Sequence, residues 1–226
     1  MSIEIFLDIE TIGTSRQDIR DRVVKDIGPP GNYKKPETIQ QWWASEGDAR
    51  KAEAIERTAL DGTWGEIICI GLAVNDEPVE VFTRALTEAD LLNTFALMLD
   101  SKCSKAIASG DMWQLVAKWI GHNIIDFDLR FLWQRSKLLG VSFPFTLPVQ
   151  KNANGVYDTM REWAGYKDRV SQKDLELAFG ITRTDPLALG GAEVFQAYQD
   201  GRIKDIKEHC RQDIENLRTL YRRMTS

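Results

Sequence analysis

The sequence predicts an α/β layered domain, and three observations predict it. "IEIFLDIE" near the N-terminus alternates with period two, as a strand does. "GEIICIGLAVND" is a nearly continuous β-branched run, the signature of a buried strand. Helical spacing then dominates the second half of the chain, with one helix between strands. At 226 residues the chain is expected to be one domain, 1–226, with a polar loop-and-helix insertion at about 14–60. No internal repeat, low-complexity tract or linker divides it.

Each element has its own reason. In "IEIFLDIE", Ile3, Ile5, Leu7 and Ile9 share one face, and Glu4, Phe6, Asp8 and Glu10 share the other. Residues 14–60 are polar and carry a loop signal, "GPPGNYKKP", before the helical stretch "ETIQQWWASEGDARKAEAIERTAL". The run "GEIICIGLAVND" ends in a turn at Asn75-Asp76, and "PVEVFTR" is its expected hairpin partner. "TEADLLNTFALMLDS" has helical spacing and a Thr-x-x-Asp start, a capping box with Asp in place of Glu or Gln. "KWIGHNII" reads as a strand running into a loop, and "FDLRFLWQRSKLLG" as the following helix. A loop with Pro144 and Pro148 leads to "VYDTMREWAG" and "SQKDLELAFGI", and the last helix is expected from about Lys204 to Met224.

Composition bounds the function. An apolar fraction of 43% with seven Trp supports a substantial core, and 28% charged residues suit a soluble protein. No apolar run approaches the ~18 residues of a membrane span. The N-terminus has no basic region followed by a signal-like apolar core, and Cys69, Cys103 and Cys210 are odd in number and far apart. A reducing, cytoplasmic setting is therefore expected, with neither a disulfide framework nor a zinc ribbon. A formal charge of −5 does not suggest nucleic acid. A site that concentrates carboxylates lowers that total, however, and bound divalent cations would return positive charge. Local basic runs exist at Arg16/Arg20/Arg22/Lys25, Lys34/Lys35, Lys167/Arg169/Lys173 and Arg202/Lys204/Lys207, and most such runs are solvated faces.

Asp8 and Glu10 lie two apart on a strand, so both project from one face, roughly 7 Å apart at their Cα atoms. On an otherwise apolar strand such a pair is costly to desolvate unless a cation or proton compensates. Taken alone, such a pair is more often an exposed edge strand with solvated acids.

The neighbouring motifs change that balance. "FLDIET" resembles the first motif of the DEDD superfamily of 3′–5′ exonucleases, D-x-E-[TS]. "GHNIIDFDLRFL" resembles the second, N-x-x-x-F-D, in the form found in the proofreading domains of B-family DNA polymerases. "HCRQD" occupies the place of the third, Y-x-x-x-D on a C-terminal helix. The resemblance spans essentially the whole chain and is closest to stand-alone relatives of those proofreading domains. It implies an RNase H-like fold, a mixed central β-sheet flanked by helices. It implies that Asp8, Glu10, Asp128 and Asp213 bind two Mg²⁺ or Mn²⁺ ions, with Asp8 bridging. Hard oxygen donors suit those ions better than zinc, and two of them can clamp an in-line phosphoryl displacement. The pattern puts the second-motif ligand directly after Phe127, so Asp128 is chosen and Asp126 reads as a solvated loop acid. Asp158, in "YDTM", reads as a helix cap or a buried hydrogen-bonding group.

His209 stands where this spacing carries Tyr. A second branch of the superfamily has a His, but five residues before its Asp. Here i and i+4 place His209 and Asp213 on one helix face, beside a stripe of Ile206, Cys210, Ile214, Leu217, Tyr221 and Met224. Two roles follow: a general base or water-orienting group, or a capping, ion-pairing histidine. His122 has two as well, contact with substrate phosphate or sugar, or a hydrogen bond that holds its loop. Asn123 is expected to contact substrate or hold the loop, and Thr11 to meet the terminal 3′ nucleotide. Ile12 is an apolar wedge candidate under the last base, and Trp42/Trp43 are candidates for stacking unpaired bases.

The implied activity is release of nucleoside monophosphates from single-stranded DNA 3′ ends by a two-metal mechanism. An exoribonuclease or short-oligonucleotide nuclease is the alternative within the class, and a non-catalytic nucleic-acid-binding subunit the alternative outside it. The expected partner is nucleic acid, RNA included; no membrane is expected, and protein partners are not legible.

Overall fold

A computed structural model describes residues 3–108, 117–143, 145–151, 153–166, 168–184 and 191–226, the side chains of 105–108 and 191–192 apart. Pro144 of the proline loop and Lys167 of one basic run lie outside the described residues. Five strands form one sheet: β1 (Ile3–Ile12), β2 (Glu66–Val74), β3 (Glu80–Thr83), β4 (Ala117–Gly121) and β5 (Val156–Asp158), in the order β3-β2-β1-β4-β5. The β1–β2 and β2–β3 pairs are antiparallel, and the β1–β4 and β4–β5 pairs are parallel. This mixed sheet flanked by helices is the RNase H-like arrangement expected from the motifs.

The alternation read in β1 is the one the sheet uses. Ile3, Ile5, Leu7 and Ile9 join Ile67, Ile70, Leu72 and Val74 beneath two helices, α4 (Glu88–Ala108) and α5 (Asp128–Leu138). The other face meets the last helices. Phe6 and Ala73 pack with Ile214, Leu217 and Tyr221, and Ile12, Ile68 and Cys69 pack with Val194, Ala197, Ile206 and Cys210. Asn75 turns the β2–β3 hairpin with φ 52°, a left-handed conformation that Asn tolerates. The Thr-x-x-Asp box closes as drawn: Asp90 N–H donates to Thr87 Oγ1 (3.1 Å), and Thr87 N–H donates back to Asp90 Oδ2 (3.2 Å).

The insertion is folded. It contains α1 (Gln17–Val24), α2 (Pro36–Trp42), a π turn over Trp43–Gly47, α3 (Asp48–Glu56) and a 3₁₀ turn over Arg57–Leu60. The chain then returns to the end of β1. Thr14 N–H donates to Thr58 Oγ1 (2.8 Å), Thr11 Oγ1 donates to the Ala59 carbonyl (2.8 Å), and a Cβ on Gly13 would meet the Ile55 carbonyl oxygen at 2.5 Å. After β5 come α6 (Thr159–Ala164), α7 (Gln172–Ala178), α8 (Gly191–Gln199) and α9 (Ile203–Thr225). All three cysteines are free. Among the described residues, no helix is long and apolar enough to cross a membrane.

Candidate active site

Three features of β1 and its neighbour β2 bring the acids together. Asp8 pairs with Gly71 and Glu10 with Cys69 across the β1–β2 ladder, on the face toward α9. A Cβ at Gly71 would lie 2.8 Å from Cys210 Sγ and 3.0 Å from Ile214 Cγ1. The missing side chain therefore lets α9 lie close on the strand, with His209, Cys210 and Asp213 over the two acids. On the other edge, β1 pairs with β4 only as far as Phe6 and Ile120. Beyond that point Ile9 N–H has no strand partner, and it donates to Asp128 Oδ1 at 3.0 Å. The ladder also shifts register between Glu10 and Thr11, so Ile68 and Cys69 both face the α8/α9 side. Bulges of this kind re-aim side chains where a strand must present chemistry.

The donor atoms are close. One oxygen each of Asp8 and Glu10 and the Cys210 sulfur lie within 4.8 Å of one another, as do donor atoms of Glu10, His209 and Asp213. His209 Nε2 is 3.2 Å from Asp213 Oδ2 and 3.9 Å from Glu10 Oε1. Burial holds the Asp8 carboxyl well above the usual carboxylate range, and the charges of Glu10, Asp213 and Asp128 push the same way. Burial raises Glu10 likewise, with Asp213 adding and the Arg183 guanidinium opposing. Asp128 is pushed up to about 8, chiefly by burial, against hydrogen bonds from its own and Ile9's N–H. The protein thus leaves this group of acids under-compensated. Asp8 Oδ2 is buried with no hydrogen-bond partner. Four carboxylates with one orphaned acceptor fit a hard divalent cation, although Cys210 Sγ and His209 Nε2 also lie among the donor atoms.

The loop that delivers Asp128 is anchored by Asp158. This buried carboxylate caps α6 by accepting from Met160 N (3.1 Å) and Arg161 N (3.4 Å), and it also accepts from Asn123 N (2.9 Å) and Ile125 N (3.4 Å). Asp158 is thus both the cap and the buried hydrogen-bonding group read from the sequence. Asp126 is exposed and pairs with Arg161 at 2.8 Å, whereas Asp128 is buried at the start of α5 facing the other acids. Asn123 sits at φ 58° with its Oδ1 buried and unpartnered. His122 is tied at both ends: Nε2 donates to the Val170 carbonyl (2.8 Å), and Nδ1 meets Thr159 Oγ1 (3.0 Å). That is the loop-holding role of its two.

A cleft of about 500 Å³ opens beside Glu10, lined by Thr11, Arg57, Leu60, Asn123 and Phe127 among others. Ile12 does not reach it as a wedge. It is 4% exposed and packed under α8 and α9, because the face that carries Asp8 and Glu10 closes into the core two residues on. Leu60, 71% exposed on the 3₁₀ turn, presents the apolar surface instead. Trp42 is 5% exposed and packs edge-to-face on Trp43 with centroids 4.9 Å apart, which removes it as a stacking platform. Trp43 lies under Lys51 Nζ at 5.1 Å and lines no part of this cleft.

One group at the site was not foreseen. Arg183 Nη1 donates to Glu176 Oε1 and Oε2 (3.2 and 3.0 Å), and its Nη2 pairs with Asp213 Oδ1. Gln172 Nε2 donates to Glu176 Oε1 (2.9 Å) and to the Asp213 carbonyl (3.0 Å). Glu176 and Arg183 belong to no motif, and charged residues in a helix and a loop carry no periodic signal. Glu176 in "DLELAF" is buried beside Leu175, and nothing in the sequence marks that burial.

Comparison with known proteins adds the following. The model of the RNase_H superfamily matches residues 54–225, which take in Asp128, His209 and Asp213 and leave β1 outside. Comparison with the curated proteins gives no match. The structure of the family B DNA polymerase from the hyperthermophilic archaeon Pyrobaculum calidifontis superposes with a TM-score of 0.58 at 14% identity, covering 100% of this chain and 25% of that one. The chain thus spans about a quarter of that polymerase's length.

Proposed function

The chain belongs to the RNase_H superfamily, and we propose that it is a divalent-metal-dependent 3′–5′ exonuclease that releases nucleoside monophosphates from single-stranded DNA ends. The observation that carries this reading is the convergence of Asp8, Glu10, Asp128 and Asp213 from β1, α5 and α9, close enough that the other three charges all act on Asp8, whose Oδ2 has no hydrogen-bond partner. The fold shared with a family B DNA polymerase chain supports it.

In this reading Asp8, Glu10, Asp128 and Asp213 hold two Mg²⁺ or Mn²⁺ ions. Once bound, such ions supply positive charge at the attacking and leaving oxygens of an in-line displacement. The protein's own groups do the rest. His209, buried with its Nε2 between Asp213 and Glu10, orients the attacking water, and Nε2 takes its proton only in the state where it no longer donates to Asp213. Asn123 lines the cleft and meets the terminal sugar there. Leu60 and Phe127 offer apolar surface to an unpaired base, which favours frayed or single-stranded ends without sequence preference. Thr11 meets the nucleotide through its backbone, since its hydroxyl is given to Ala59.

The test is polarity and product. Single-stranded DNA with a 5′ label should shorten stepwise with Mn²⁺, yield mononucleotides, and resist when its 3′ end is blocked by phosphate. Internal cleavage, or equal degradation of blocked ends, would refute the exonuclease reading. A matched RNA strand cleaved faster than DNA would move the substrate to the exoribonuclease alternative.

A further inference from the structure

Metal chemistry alone does not require the way Asp213 is held. Both of its carboxylate oxygens are engaged within the protein: Oδ1 by the Arg183 guanidinium, and Oδ2 by His209 Nε2 at 3.2 Å. Arg183 is itself anchored from behind, with two hydrogen bonds to Glu176 at 3.2 and 3.0 Å. Glu176 is almost wholly buried and is further fixed by Gln172 Nε2 at 2.9 Å. The planar fork of an arginine suits this bridging of two carboxylates, where a lysine would serve one. The guanidinium also acts on Glu10, so its field reaches β1 as well as α9. A divalent cation taking Asp213 as a ligand must share or displace the Arg183 contact at Oδ1 or the His209 contact at Oδ2. Displaced from Asp213, Arg183 still keeps Glu176, so its charge stays at the rim of the acids.

Resting on the proposed reading that these acids bind divalent cations, we propose that Arg183 is the built-in counter-cation of the acid cluster. It is a positioning residue that holds Asp213 before a divalent ion arrives, and its charge, offset in part by Glu176, sets how tightly that ion binds. Two substitutions in one buried pair then have opposite effects. Removing Arg183 removes a competitor and a like charge, and removing the charge of Glu176 takes away one of the anions that offset Arg183 beside the metal ligands. A merely structural pair would give the same direction, or no direction, in both.

The experiment is calorimetric titration of Mn²⁺, without nucleic acid, into wild type, Arg183→Met, Glu176→Gln and Asp8→Ala. Arg183→Met should bind Mn²⁺ on the order of tenfold more tightly than wild type, from loss of one positive charge a few ångströms away. Glu176→Gln should bind more weakly. Unchanged or weaker binding by Arg183→Met overturns the inference, as does unchanged or tighter binding by Glu176→Gln. Should Arg183→Met fail to fold, Glu176→Gln decides alone. Wild-type protein that takes up no Mn²⁺, or Asp8→Ala protein that binds like wild type, overturns the metal-site reading and this inference with it. Normal wild-type binding with unmoved variants overturns the inference only.

Discussion

Asp128 shows at the scale of one residue what this site costs the fold. Its carboxyl accepts the Ile9 N–H, and burial pushes it up to about 8 from an ordinary value of 3.8. A carboxyl raised in the folded state binds its proton more tightly there than in the unfolded chain. Its contribution to stability is therefore fully present below the unfolded value and is lost as pH rises through the folded one. Asp8 and Glu10 are raised in the same direction. In EDTA, the melting temperature should fall between pH 6 and 9, by on the order of 5 °C. Asp128→Asn keeps an acceptor for Ile9 N–H and removes one titrating charge, so its melting curve should depend less on pH. Thermal denaturation of both proteins in EDTA across that range checks this. A wild-type melting temperature that rises with pH would show that the acids are compensated by the protein after all.

At the scale of elements, the distance between β2 and α9 sets the distance between Asp8 and Asp213, and Gly71 sets the distance between β2 and α9. Gly71→Ala places a Cβ where Cys210 Sγ and Ile214 Cγ1 now sit, 2.8 and 3.0 Å away. Overpacking of this kind costs about 1–3 kcal/mol, and it should lower nuclease turnover by more than its effect on folding explains. Gly140→Ala is the control. Gly140 has φ 68° at the end of α5 with open space around it, so this variant loses stability with turnover unchanged. Urea denaturation and turnover measured on both variants would test this, and equal turnover in both would break the link between helix placement and activity. The elements that could be read from the sequence were those with a sustained period or a local cap: β1, the β2–β3 hairpin, the Thr87–Asp90 box and the stripe of α9. β5 could not be read, because "VYD" is three residues, too few to show a period. α1 was hidden in a polar segment whose single buried residue, Ile19, gives no stripe.

For the whole molecule, the insertion matters more than its composition suggested. Its polar sequence reads as a surface excursion, yet Thr11, Thr14 and Gly13 clamp its end to β1 and make it one wall of the cleft. The acids were legible because each sits in a short local pattern, D-x-E, N-x-x-x-F-D and a helical i, i+4 pair. Arg183 and Glu176 were not, because they meet Asp213 only through the packing of α7 on α9, which no local pattern encodes. Ile12 was misplaced for the same reason: the strand period gives its face, and only the position of α8 shows that this face is closed there. The net charge of −5 argued against nucleic acid as a whole-chain average, while the acids that contribute to it are gathered where cations would reverse its sign. The most direct test of a metal-dependent phosphodiesterase site built from these three segments compares wild type with Asp8→Ala. Both would be incubated with 5′-labelled single-stranded DNA in Mn²⁺ and in EDTA. The account predicts a ladder of shortened strands only for wild type in Mn²⁺; degradation that survives EDTA or the loss of Asp8 would contradict it.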